Sequence, residues 1–178
     1  MIAPDAKIHP SAVVEAGATI GAGCQIGPFA LIGPEVTLHA GVIVKSHAVV
    51  TGWTEIGAQT VIFPFACVGE IPQDLKFNGE RTRLIVGARC RIREGATLNT
   101  GTEGGGGITR VGDDCLLMTG AHVGHDAVLG EVHARPFHPL AAPRRLLHFA
   151  FMTDAASARA DRQALTVFCE RQGLPGPG

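Results

Sequence analysis

The sequence predicts an all-β chain wound as a parallel β-helix, and three observations carry that expectation. First, every sixth residue from Ile2 through Ile8, Val14, Ile20, Ile26, Ile32, Leu38, Val44, Val50, Ile56 and Ile62 to Val68 is Ile, Val or Leu. The register returns in phase as Val86, Ile92 and Leu98, then slips by one residue and runs Val111, Leu117, Val123 and Leu129. Second, the fifth place of each hexad is small: Ala18, Cys24, Ala30, Ala48, Ala66, Cys90, Ala96, Cys115 and Ala121 are examples. Third, Gly often follows the large residue, as at Gly21, Gly27, Gly33, Gly57 and Gly87. A period of six fits neither an amphipathic helix nor an ordinary half-buried strand. It is the period of stacked hexapeptide repeats.

Each hexad is read as one short strand and one corner. Residues two apart in a strand share a face, so the small fifth residue and the next large residue both point inward. The residue between them points out. Gly after the large residue is expected to supply a positive φ at the corner. Nineteen hexads, three to a coil, give about six coils and a prism roughly 30 Å tall at about 4.8 Å per stacked strand.

Composition narrows the function classes. The chain has 178 residues, a net charge of −1, 24 glycines, one Trp and no Tyr, which suits a thin core with many corners. Near-neutral charge implies no steering toward nucleic acid or a membrane surface. No charged and apolar cleavable leader opens the sequence, and no apolar run approaches about 18 residues. A cytoplasmic protein without an integral membrane segment is expected. Of the five cysteines, Cys24, Cys90 and Cys115 occupy the small inward place, Cys67 falls in an outward slot and Cys169 lies in the tail. Small buried thiols in a reducing compartment explain them better than a disulfide or a metal set.

Two interruptions break the hexad. Between Val68 and Val86 runs Gly69-Glu70-Ile71-Pro72-Gln73-Asp74-Leu75-Lys76-Phe77-Asn78-Gly79-Glu80, a polar loop thrown out of a rigid scaffold, where function commonly sits. Gly101-Thr102-Glu103-Gly104-Gly105-Gly106-Gly107-Ile108-Thr109-Arg110 causes the phase slip. Its four glycines lack the strand and helix context of a phosphate-binding P-loop and read as a flexible loop.

Ala121-His122-Val123-Gly124-His125-Asp126 is the third constellation. Val123 is the inward residue, so His122 and His125 both face outward and near one another. An imidazole, with an ordinary pKa of about 6.5, suits a general base at neutral pH, and an adjacent carboxylate can orient it.

These segments resemble the acyl-carrier-protein-dependent UDP-N-acetylglucosamine O-acyltransferases that open lipid A biosynthesis. The resemblance rests on Ile26-Gly27-Pro28-Phe29, Lys45-Ser46-His47, Gly69 to Lys76, Gly79-Glu80-Arg81-Thr82-Arg83, Arg91-Ile92-Arg93-Glu94, Leu116-Leu117-Met118 and Ala121 to Asp126. It implies a left-handed coil and a homotrimer with sites in the clefts between prisms. It also implies transfer of a (3-hydroxy)acyl chain from acyl carrier protein to the 3-hydroxyl of UDP-N-acetylglucosamine. His125 would then be the general base and Asp126 its orienting partner. Gln73, Asp74, Lys76 and His122 would line the cleft for nucleotide sugar and acyl donor. Neither a metal nor a dissociable cofactor is implied. At Thr100 the family tends to carry a basic residue, so an acidic contact is expected to be weakened here.

The resemblance stops near Gly130. The next inward place is Arg135, and the composition shifts: residues 131–178 hold six Arg, no Lys and four of the eight Phe. Two domains are therefore expected, a shortened β-helix over 1–130 and an unrelated tail over 131–178 with one helix near Asp154 to Gln172. Parts of the tail, Glu131 to Phe137 and Ala142 to His148, loosely resemble the start of an uncharacterised bacterial membrane-associated family. The expected outcome is an acyltransferase scaffold of low turnover. A non-catalytic nucleotide-sugar-binding scaffold and a zinc-dependent hexapeptide trimer using His122 and His125 are the alternatives.

Overall fold

The computed structural model describes residues 1–130 and the backbone of a two-residue strand at Leu146–Leu147. Its strands form three parallel sheets, one per face of a left-handed β-helix. The first face stacks Lys7–Ile8, Gln25–Ile26, Ile43–Val44, Val61–Ile62, Arg91–Ile92, Leu116–Leu117 and Leu146–Leu147. The second stacks Val13–Val14, Leu31–Ile32, Val49–Val50, Cys67–Glu70, Thr97–Asn99 and His122–Val123. The third stacks Thr19–Ile20, Thr37–Leu38, Trp53–Ile56, Arg83–Val86, Ile108–Val111 and Val128–Leu129. Residues 7–129 thus make six coils, as the hexad count predicts.

Register follows the inward residues. Ile26 pairs with Val44, Val44 with Ile62, Ile62 with Ile92 and Ile92 with Leu117. The one-residue slip in the hexad is absorbed by the second interruption, so Val86 still pairs with Val111. The core is one continuous column of these aliphatics and their small partners, including the thiols of Cys24, Cys90 and Cys115. Cys67, in the outward slot, is only half-buried.

The corner glycines act differently from expectation. Gly21, Gly27, Gly57 and Gly87, in second place, do not have positive φ. The left-handed residue is the fourth of the hexad, and it need not be Gly: Phe29 (57°), His47 (59°), Phe65 (62°) and Asp126 (62°) all adopt it. The second-place glycines are needed for close stacking instead. A Cβ on Gly57 would collide with the carbonyl carbon of Gly87 in the next coil and lie 2.5 Å from the Ala88 nitrogen, so a side chain there would push the coils apart.

The lapse of the hexad after Leu129 leads one to expect no further coil. The backbone of Leu146–Leu147 nonetheless pairs in parallel with Leu116–Leu117. Leu147 follows Leu117 by thirty residues, a multiple of six and the same separation as between Ile62 and Ile92. The expected helix near residues 154–172 lies outside the described residues, as does Cys169. Among the described residues no helix is long and apolar enough to cross a membrane.

Candidate active site

One vertical corner, where the second face turns into the third, carries all three sequence constellations. In the third coil it is a tight turn through Thr51 and Gly52. In the fourth and fifth coils residues 71–82 and 100–107 take its place, and in the sixth the corner is again a four-residue turn, Gly124 to Ala127, of the same length as those over 15–18 and 33–36. Segments up to 56 residues apart in sequence are therefore stacked one above another.

The two interruptions are stitched together at their bases. Asn99, a buried residue, donates from its side-chain amide to the carbonyls of Ile71 (2.7 Å) and Glu70 (3.3 Å). The Thr100 N–H donates to Glu70 O at 3.0 Å, and the Thr82 hydroxyl donates to that of Thr100 at 3.2 Å. Gly101 N–H donates to Arg83 O and Arg83 N–H to Gly107 O. Thr100 is itself buried. Thr100 thus takes part in the packing between the two loops.

The second interruption is an ordered turn rather than the flexible loop its glycines suggest. Glu103–Gly105 forms one turn of 3₁₀ helix capped by Thr102, whose hydroxyl accepts the Gly105 N–H at 3.1 Å. The turn sits against Asp126. The Thr102 N–H donates to Asp126 Oδ1 at 2.7 Å and its hydroxyl to Oδ2 at 2.5 Å.

His125 and Asp126 form the dyad the sequence pairs. His125 Nδ1 lies 2.8 Å from Asp126 Oδ2, with both side chains about 85% buried. Burial pushes the Asp126 carboxyl up, but the bonds from the Thr102 hydroxyl and N–H and from His125 outweigh it and hold the group below the usual carboxylate range. An ionised Asp126 takes the proton of Nδ1 as a donor, leaving Nε2 as the acceptor. His122 is half-buried, with Nδ1 at 2.7 Å from the Thr97 hydroxyl. Burial, and then the nearby charge of His125, lower its pKa, so the two imidazoles sense one another.

From the first loop, Asp74 comes closest to this pair electrostatically. Its carboxylate accepts the Lys76 N–H at 2.9 Å and lies 3.6 Å from Lys76 Nζ. The backbone bond from Lys76 is the main cause of its lowered pKa, and the charge of His125 contributes as well. Lys76 and Gln73 are exposed and stand outside the hydrogen bonds of the dyad. Among the described residues no group of three or more His, Cys, Asp and Glu side chains is arranged to hold a metal ion.

Sequence reasoning missed Thr102 and Gly105 as parts of this site. The available signal was the corner itself: both interruptions fall in the same third of their coils as His125.

Comparison with known proteins agrees with the repeat and with the loop motifs. A family model described as bacterial transferase hexapeptide (six repeats) matches residues 1–34 and 17–52. Another, described as a protein of unknown function (DUF3422), matches residues 121–178. An acyl-[acyl-carrier-protein]–UDP-N-acetylglucosamine O-acyltransferase of Paracoccus denitrificans is 69% identical over 70 residues, 39% of this chain and 27% of that protein. The protein of the same name from Azorhizobium caulinodans is 50% identical over 97 residues, 54% of this chain and 36% of that protein. The crystal structure of a UDP-N-acetylglucosamine acyltransferase from Bacteroides fragilis superposes with a TM-score of 0.61 at 41% identity, covering 74% of this chain and 49% of that one. The chain thus spans about a third of the length of these curated relatives and about half that of the solved structure. The hexapeptide-repeat part of the chain is accordingly similar to a segment of the acyl-[acyl-carrier-protein]–UDP-N-acetylglucosamine O-acyltransferases, as its loop and histidine motifs lead one to expect.

Proposed function

We propose that this protein transfers a (3-hydroxy)acyl chain from acyl carrier protein to the 3-hydroxyl of UDP-N-acetylglucosamine, with His125 as the base. The observation that carries the reading is the His125 Nδ1–Asp126 pair, which leaves Nε2 to accept a proton. In the step, Nε2 takes the proton of the sugar hydroxyl as its oxygen bonds to the thioester carbonyl carbon. The carbon–sulfur bond then breaks, and the imidazolium returns the proton to the departing thiolate. Asp126 stabilises the transient imidazolium. Asp74, Gln73, Lys76 and His122 line the substrate cleft in this reading. Asp74 is supported by its electrostatic link to His125, and Gln73 and Lys76 by their exposure on the same loop. No metal or cofactor takes part.

The active assembly in this reading is a homotrimer in the cytoplasm. The similarity to trimeric acyltransferases read from the sequence supports the first, and cysteines used as small buried core residues support the second. We also treat residues 131–178 as a separate unit, a reading supported by Arg135 at the next place of the hexad count, although the family match over 121–178 begins within the last coil and Leu146–Leu147 pairs with Leu116–Leu117. Turnover is expected to be low, because the hexad lapses in the sequence after Leu129. The lapse of the hexad after Leu129 also favours a second reading, a remnant scaffold that binds the nucleotide sugar without turnover.

The test is acyl transfer by the purified chain, using acyl carrier protein loaded with 3-hydroxyacyl chains and labelled UDP-N-acetylglucosamine. Transfer abolished by His125→Ala is the expected result. Binding of the nucleotide sugar with no transfer at any enzyme concentration would favour the scaffold.

A further inference from the structure

The hydrogen bonds of Asp126 do more than the dyad alone requires. Its carboxylate is gripped on both oxygens by one residue, Thr102, through the backbone N–H at 2.7 Å and the hydroxyl at 2.5 Å. Its own N–H donates to the hydroxyl of Thr109, a fully buried residue, at 2.8 Å. The Thr102 hydroxyl has a single proton. Because its oxygen accepts the Gly105 N–H, the proton is directed to Asp126. The carboxylate is thereby left with one orientation toward His125.

Gly105 closes the arrangement sterically. A Cβ there would overlap the Asp126 carboxyl carbon and Oδ2 and lie 2.5 Å from Oδ1. The obstacle is a carboxylate already held by two bonds to Thr102 and one to His125, so it has little freedom to give way. A Cβ on the neighbouring Gly104 or Gly106 would meet nothing within 4 Å. Of these three glycines, only Gly105 is excluded from carrying a side chain by contact with the site.

We propose that Thr102 and Gly105 are positioning residues: they clamp Asp126 so that His125 holds its proton on Nδ1 and keeps Nε2 free. This rests on the reading of His125 as the base, and it adds the second interruption to the catalytic machinery as a support that touches no substrate. A carboxylate released from the clamp rotates, and the imidazole then samples the other tautomer.

The experiment is nitrogen NMR of the full chain labelled at histidine, recorded at several pH values up to 8 so that the neutral-ring signals are identified directly. The unsubstituted protein and Thr102→Ser are expected to show His125 as a single tautomer protonated on Nδ1. Thr102→Val and Gly105→Ala are expected to show a mixture, moving toward the spectrum of Asp126→Asn. Thr102→Val removes the hydroxyl, and with it both the bond to Asp126 and the cap on the Gly105 N–H, while Gly105→Ala displaces the carboxylate, so either one decides the matter if the other does not fold. Where the chain turns over, kcat should fall about 10- to 100-fold, as for other partners that orient a ring. KM should stay within about threefold, and Thr102→Ser should restore kcat. His125 signals unchanged in folded Thr102→Val or Gly105→Ala would overturn the clamp. Absence of turnover in every protein, with the tautomer shifting as expected, would count against the proposed reaction and leave the clamp supported.

Discussion

The lower three coils and the upper three differ at a single corner. Up to Val50 the chain turns from the second face to the third in a tight step, and Thr51-Gly52 suffices in the third coil. Above it, the same step is taken by a twelve-residue loop, then by a capped 3₁₀ turn, then by His125 and Asp126. The inward columns are indifferent to this: Ile32 and Leu98 are equally buried on the same face. The contrast separates two jobs. The hexads supply a core that is alike at every height, and one edge of that core is free to carry chemistry.

The largest effect expected from breaking this contrast is chemical. His125→Ala should lower acyl transfer about 10²- to 10⁴-fold, the usual contribution of a general base. The thermal unfolding curve should stay close to that of the parent, since the side chain sits at the edge and not in the core. A loss of activity matched by a loss of fold would remove the distinction.

Next come paired core substitutions. Ile32→Ala in a plain coil and Leu98→Ala between the two interruptions should each cost about 2–5 kcal/mol in denaturant titrations. Leu98→Ala costing less than about 1 kcal/mol would mean that the interruptions loosen the column beneath them.

Smaller again is Gly79→Ala. Gly79 has φ of 88°, and a methyl group there would meet no atom within 4 Å, so the cost is that of the left-handed backbone alone, about 1–2 kcal/mol. It should appear as faster amide exchange in residues 71–82 rather than as global unfolding.

The smallest effect concerns pH. Burial and the charge of His125 lower the pKa of His122 in the folded chain. The unfolded chain therefore binds the proton more readily, and stability is complete above the ordinary imidazole range and declines as pH falls through it. His122→Gln should flatten the slope of stability between about pH 7 and 5, in line with the ordinary imidazole range.

Much of this was legible in the sequence because the hexad ties residue number to position. Val123 as an inward residue places His122 and His125 outside, and the lapse after Val68 marks where residues leave the prism. Thr102 was not legible. Its contact with Asp126 spans 24 residues across a coil of irregular length, so counting by the eighteen residues of a regular coil does not bring the two together. The glycines misled for a related reason. A residue without a side chain serves either a left-handed backbone or a close approach, and only the stacked coils show that Gly57 does the second while Asp126 takes on the first. The tail carries too few inward aliphatics for the period to describe it, although Leu147 falls in phase.

The thirty-residue coil between Ile62 and Ile92 also says something about cost. Closing a loop depends on the logarithm of its length, so thirty residues in place of eighteen add only about 0.5 kcal/mol. That is less than the loss of one methylene group from the column inside it, about 0.8 kcal/mol by transfer. Length at this corner is thus thermodynamically cheap while sequence inside the coil is not. A prism of this kind can exchange or enlarge its edge loops, and with them its substrates, without renegotiating its core.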